Sequence, residues 1–225
     1  MFYLIKFILA FCSIAYELLL AQSLAAFLDN TVLRYSITIG LYMFSMGLGS
    51  LAVGRLCKKG PFLSLLKIEG FLTIVGGLCL VWLHFLDILG LPRIVFAFFA
   101  HVLIIVIGFL TGFETPLIMD MISGKKKDRE NVVLAFDYLG ALTGTLVFAF
   151  IFYPVMGLMP AAFLTGALNA LAGILLLTRK KQIIGDAVFN FKKALGFQIG
   201  LVVLMLGILV YASQINEFFI QQYLH

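Results

Sequence analysis

The run Ile94-Val95-Phe96-Ala97-Phe98-Phe99-Ala100-His101-Val102-Leu103-Ile104-Ile105-Val106-Ile107-Gly108-Phe109-Leu110-Thr111-Gly112-Phe113-Glu114-Thr115-Pro116-Leu117-Ile118 meets no formal charge before Glu114. About 20 apolar residues in a helix cross the hydrocarbon core of a bilayer. This run therefore reads as a membrane span with an acid set near its end. A charged side chain at that depth costs about 2.5–3.5 kcal/mol on insertion scales. Glu17 and Asp137 stand in similar apolar runs. Three such acids point to a site that attracts cations or protons.

The same character extends over the whole chain of 225 residues, which is 63% hydrophobic and 12% charged. Soluble domains carry about twice that charge. The expected fold is an all-α membrane protein, a polytopic bundle of about seven transmembrane helices in one domain over residues 1–225. The spans are expected at about 2–28, 35–53, 65–86, 94–122, 132–156, 161–178 and 195–215. Lys6 and the apolar stretch after it mimic a signal peptide, but Glu17 interrupts the run and no small-residue cleavage site follows, so the segment reads as the first membrane helix. Residues 182–194 alternate apolar and basic and are expected along the membrane surface.

Basic residues set the orientation. Three lie in 54–61, four in 124–131 and five in 179–194, whereas the opposite loops hold only Arg34 and Arg93. The positive-inside rule puts the three basic segments and the N-terminus in the cytoplasm of a plasma (inner) membrane. The net charge of +5 is thus a topology signal rather than a nucleic-acid one. Cys12, Cys57 and Cys79 are too isolated for a metal site or disulfide framework, and no metal or cofactor is expected. No nucleophile–base pair appears, so the chain does not read as an enzyme.

Small residues recur four apart at Ser45/Gly49, Gly108/Gly112, Gly140/Gly144 and Gly166/Ala170, the spacing that lets helix backbones approach closely. Pro116 and Pro154 are expected to kink or end their helices, freeing carbonyls at Gly112 and Ala149 to line a cavity. Tyr16-Glu17 in the first span and Phe113-Glu114 in the fourth occupy comparable places, each followed by two more spans. That pattern suggests an inverted repeat of three helices, and transporter sites lie at such repeat interfaces.

The candidate substrate-binding residues are Glu114, Asp137 and Glu17, with Tyr138 and Tyr16 beside them. Glu114 and Asp137 adjoin across one loop and are expected within contact reach. The tyrosines would add hydrogen bonds or an aromatic face for a cation. A purely structural reading makes each acid a hydrogen-bond acceptor that fixes packing, with Arg55 or Lys125–Lys127 as ionic partners. Lys67 and Glu69 are expected at the interface. His101 reads as a hydrogen-bonded bundle residue, His84 and Trp82 as outer-interface residues, and Asn169 as a bond across helices.

Four stretches carry a resemblance: Ala15-Tyr16-Glu17-Leu18-Leu19, Gly40 to Ser50, Gly112-Phe113-Glu114-Thr115-Pro116-Leu117, and Leu134-Ala135-Phe136-Asp137-Tyr138-Leu139-Gly140-Ala141-Leu142. In them the chain resembles the multi-pass membrane domain of bacterial spermidine synthase-like proteins, the polyamine aminopropyltransferases. The resemblance implies a fold similar to half of a major-facilitator transporter plus one extra helix. Gly49 to Lys59 is similar to that superfamily's loop between helices two and three, without its usual acid. It also implies a synthase half, with a glycine- and aspartate-rich loop for decarboxylated S-adenosylmethionine. No such loop is found here, and Gly76-Gly77 lies inside a span. The expected function is binding or transport of a polyamine or related organic cation through intramembrane carboxylates, coupled to protons. The alternative is a non-catalytic scaffold or anchor for a synthase-like or other partner. Expected partners are the lipid bilayer, the cation, and a second copy or partner subunit.

Overall fold

The computed structural model describes residues 1–58, 60–122, 128–178 and 191–223, and those residues are all-helical. The helices are α1 (Phe2–Leu28), α2 (Thr31–Leu56), α3 (Pro61–Gly77), α4 (Cys79–Ile88), α5 (Arg93–Thr111), α6 (Glu114–Ile122), α7 (Asp128–Val147), α8 (Leu158–Leu177), α9 (Phe191–Val210) and α10 (Ala212–Tyr223). Six helical stretches are long and apolar enough to cross a membrane, and α3 with α4, bent by 41° at Leu78, would make a seventh. Lys59, Lys125–Lys127 and residues 182–190 of the expected surface segment 182–194 lie outside the described residues, and residues 191–194 of that segment are the first turn of α9.

Local chemistry sets the breaks. Asn30, in a left-handed conformation at φ 57°, caps α2 by accepting from the Leu33 amide at 3.3 Å. The helix thereby starts before the apolar run at Tyr35. Pro61 at the first turn starts α3 ahead of Leu65, because proline lacks only a donor that is unsatisfied there anyway. α5 gives way to α6 at Gly112-Phe113, four residues ahead of Pro116, whose missing N–H cannot bond the Gly112 carbonyl. Pro154 sits in a π-helical segment, Phe148–Met156, that continues α7. This wider winding absorbs the proline without ending the span. The expected seventh span stops at Val210 and resumes after Tyr211 as α10.

α1 and α8 form the centre of the bundle and are the most buried of the long helices. α1 touches α2, α5, α7 and α8, while α3 pairs with α8, and α9 covers α8. α7 packs along α1, and α5 along α2. At the far end, Phe27 packs against His84 and Phe96, and His84 meets Phe219 of α10 at 4.9 Å between ring centres.

Two of the small-residue pairs face each other. A methyl at Gly49 would overlap the Phe109 carbonyl, one at Gly112 the Met46 carbonyl, and one at Gly108 the Ser45 hydroxyl. α2 and α5 therefore touch backbone to backbone. Gly140 and Gly144 do the same for α7, against Phe7, Ala10, Phe11 and Ile14 of α1. Gly112→Ala is expected to lower stability by about 1–3 kcal/mol through overpacking. Gly40→Ala, where a methyl would meet open space, is expected to change it by no more than about 0.5 kcal/mol. Thermal melting in detergent distinguishes the two.

Candidate functional site

Lys6, Ala10, Ser13 and Glu17 repeat at helical spacing and so share one face of α1. That face floors a cavity of about 470 Å³. Met43, Met46, Gly47 and Ser50 of α2 form one wall, and Asp137, Tyr138 and Ala141 of α7 form the other. The remainder comes from the α5–α6 break, with Thr111, Gly112, Glu114 and Thr115. A volume of this size is in the range of small-molecule sites.

The Lys6 ammonium organises the charges. It lies 2.8 Å from Asp137 Oδ1 and 4.0 Å from Glu114 Oε2. Lys6 and Glu114 are both buried, and the Asp137 side chain is about a quarter exposed. Asp137 reaches inward because Gly140, one turn along α7, lets the backbone settle onto Phe7 and Ala10 beside Lys6. Glu114 is delivered by the first turn of α6, directly after the break that Gly112 and Pro116 create. Glu17, 6% exposed, lines the same cavity two turns beyond Ala10. No ion pair or hydrogen bond of its carboxylate is found among the described residues. Three carboxylates and one ammonium thus line the cavity among the described residues, and two of the three face that ammonium.

The sequence expectations fall out unevenly. Glu114, Asp137, Glu17 and Tyr138 come together around one cavity. Tyr138 is at its mouth and largely exposed. Tyr16 does not line it: its ring is fully buried against Gly76 of α3, and its hydroxyl has no hydrogen-bond partner among the described residues. Lys6 is the residue that sequence reading missed as a site member, and its helical register with Glu17 is the signal that marks it. Arg55 is exposed and pairs with none of these acids in the described residues.

Glu69 corrects its expected place at the interface. Because α3 begins at Pro61, Glu69 sits two turns inside it and is 1% exposed, whereas Lys67 next to it faces outward. Asn169 of α8 donates to the Glu69 main-chain carbonyl at 3.1 Å, a bond across helices as expected. His101 bonds the Ala97 carbonyl of its own helix. A second cavity of about 540 Å³, between α3 and the ends of α2 and α5, is lined by Lys58 and Lys67 and, among the described residues, by no carboxylate.

Comparison with known proteins bears on this site. The chain is 34% identical over 166 residues to polyamine aminopropyltransferase 2 of Ralstonia nicotianae, covering 72% of this chain and 32% of that protein. It is 35% identical over 171 residues to the polyamine aminopropyltransferase of Leptospira interrogans, covering 74% and 33%. With the polyamine aminopropyltransferase of Mycobacterium tuberculosis the match is 29% over 213 residues, 88% and 39%. The chain therefore resembles part of such proteins and spans about a third of their length. No family model matches it, and no solved structure does.

Removing one partner of a buried ion pair strands the other and costs about 3–5 kcal/mol. Lys6→Met is expected to show a loss of that order in chemical denaturation of the detergent-solubilised protein. Lys6→Arg, which keeps the charge, is expected to lose less than half as much.

Proposed function

We propose that this chain is a single membrane domain that binds a polyamine or related organic cation between Glu114, Asp137 and Glu17. The observation that carries the reading is the make-up of the cavity lining among the described residues, three carboxylates against a single ammonium that pairs with two of them. A di- or triammonium compound supplies the missing positive charge, and charge-assisted hydrogen bonds to carboxylates are the strong ones. Tyr138 at the mouth offers its ring face to the incoming cation. Tyr16 supports α1 from behind by its packing on α3. The polyamine-related names of the similar proteins favour this ligand class over other cations.

The apolar helices support placement across a plasma membrane as half of a major-facilitator-like bundle, with the seventh crossing made by the bent α3–α4 pair. The bias of Lys and Arg toward 54–61, 124–131 and 179–194 supports a cytoplasmic N-terminus. Transport would need a second moving half, supplied by another copy. Protons compete for the same carboxylates, so a proton gradient could drive exchange. An anchor for a synthase-like partner is the reading that remains without a ligand.

Purified protein is expected to bind labelled spermidine saturably. Glu114→Gln and Asp137→Asn are each expected to weaken binding tenfold or more, the equivalent of about 1.4 kcal/mol lost per charged contact. Full-affinity binding by both variants, or no binding by a folded wild type, overturns the proposal and favours the anchor. Affinity is also expected to fall as the pH is lowered from neutral into the acid range. Protonation there removes the charge that holds the ligand, and equilibrium dialysis across a pH series reads this directly.

A further inference from the structure

The second cavity shares no described lining residue with the acid cavity, and its own lining is graded from polar to apolar. At its polar end are Lys58, in the turn that joins α2 to α3, and Ser64 and Lys67 of the first two turns of α3. Residues three and four apart share one side of a helix, so Ile68 and Phe71 continue the same face of α3 away from that turn. Phe109, Leu110 and Phe113 line the opposite wall, the two phenylalanine rings meeting edge to face at 5.0 Å. This wall is deep. Gly49 abuts the Phe109 carbonyl and Gly112 abuts the Met46 carbonyl, so the aromatic wall stands about two turns before Leu56, where α2 ends.

The charges at the polar end are of one sign. No ion pair of Lys58 or Lys67 is found among the described residues. Lysines that only set topology need no cavity, because they reach the headgroups from an ordinary helix surface. Here two of them stand over a cleft with an aromatic floor. Leu56 and Phe71 at its rim are both more than half exposed, so the cleft opens at the side of the bundle, where placement across a membrane puts lipid.

We propose that this cleft holds one anionic phospholipid of the leaflet beside the α2–α3 turn. Its phosphate lies between Lys58 and Lys67 with the Ser64 hydroxyl donating to it, and an acyl chain runs along Ile68, Phe71, Phe109 and Phe113. The proposal rests on the membrane placement given above and is independent of the cation reading. Charge and shape select this occupant. A free phosphate would use the lysines and leave the aromatic wall uncovered. A zwitterionic lipid brings its own ammonium toward the two lysines, whereas each lysine near an anionic headgroup adds attraction.

The site is tested by native mass spectrometry of the full chain in detergent, with phosphatidylglycerol or phosphatidylcholine titrated in. The wild type is expected to take up one phosphatidylglycerol at a concentration about tenfold lower than it needs for phosphatidylcholine. Lys58→Gln with Lys67→Gln is expected to abolish that preference, and Lys58→Arg with Lys67→Arg to keep it. Arg55→Gln with Lys192→Gln removes the same charge outside the cleft and is expected to leave the preference intact. All four of these residues are exposed, so the variants are expected to fold. Phe71→Ala is expected to weaken uptake of phosphatidylglycerol, and an equal concentration of inorganic phosphate is expected not to displace the bound lipid.

Equal uptake of the two lipids by the wild type overturns the proposal. So does a preference that survives Lys58→Gln with Lys67→Gln, or one lost equally in the Arg55, Lys192 control. Displacement of the lipid by inorganic phosphate also overturns it and marks a free-anion site. Alkaline carbonate extraction of cell membranes separates this proposal from the placement beneath it. Release of the chain overturns the membrane placement and the lipid site together, whereas retention without lipid preference overturns the lipid site alone.

Discussion

A buried ammonium sets the terms for this structure. Lys6 lies inside the bundle, 2% exposed, and a charge removed from water is tolerable only where opposite charge is held against it. Glu114 and Asp137 come from two successive helices far along the chain from Lys6, so α1, α6 and α7 must meet at one point. That requirement explains features that otherwise look separate: a helix broken just before Glu114, and glycines one and two turns after Asp137. Each brings a carboxylate within reach of the same nitrogen.

Close backbone contact is what makes the meeting point stiff. α7 lies directly on α1 at Gly140 and Gly144, and α5 lies directly on α2 at Gly108 and Gly112. Neither seam has room for a side chain, so neither helix can slide without a clash. The cavity lies between these two seams, with α2 and α7 as its walls. Tyr42 adds a polar tie between α1 and α2, its hydroxyl donating to the Ser13 carbonyl at 3.0 Å. Side chains held on rigid elements this way keep their spacing when a ligand enters, so less binding free energy is lost to ordering them.

Much of this was legible in the sequence, for reasons of periodicity and spacing. Apolar length located the helices, and the four-residue spacing of Ser45/Gly49 and Gly108/Gly112 marked residues that do lie at a helix contact. Glu17, Glu114 and Asp137 stood out because an acid in an apolar run is expensive. Lys6 escaped notice because a basic residue near an N-terminus has an ordinary topological explanation. Glu69 escaped because Lys67 and a basic loop sit beside it, and only the early start of α3 at Pro61 carries it inside. Tyr16 was misplaced for a geometric reason. It precedes Glu17 by one residue, and adjacent residues on a helix point about 100° apart, so the two face different neighbours.

Lys6 also bears on what the cavity can recognise. A resident ammonium 2.8 Å from Asp137 is itself a primary amine on an alkyl chain, the group a polyamine presents at its ends. Under the proposed function the acids would accept such a group, with apolar surface from Ala10, Ile14 and Met46 beside them for methylenes. Glu17, farther along the same face of α1, supplies a second carboxylate at a distance from the first pair. One alkylammonium contact would make a general cation site. Two, separated along a helix face with Ala10 and Ile14 between them, would favour a ligand with separated charges over a compact one such as a metal ion.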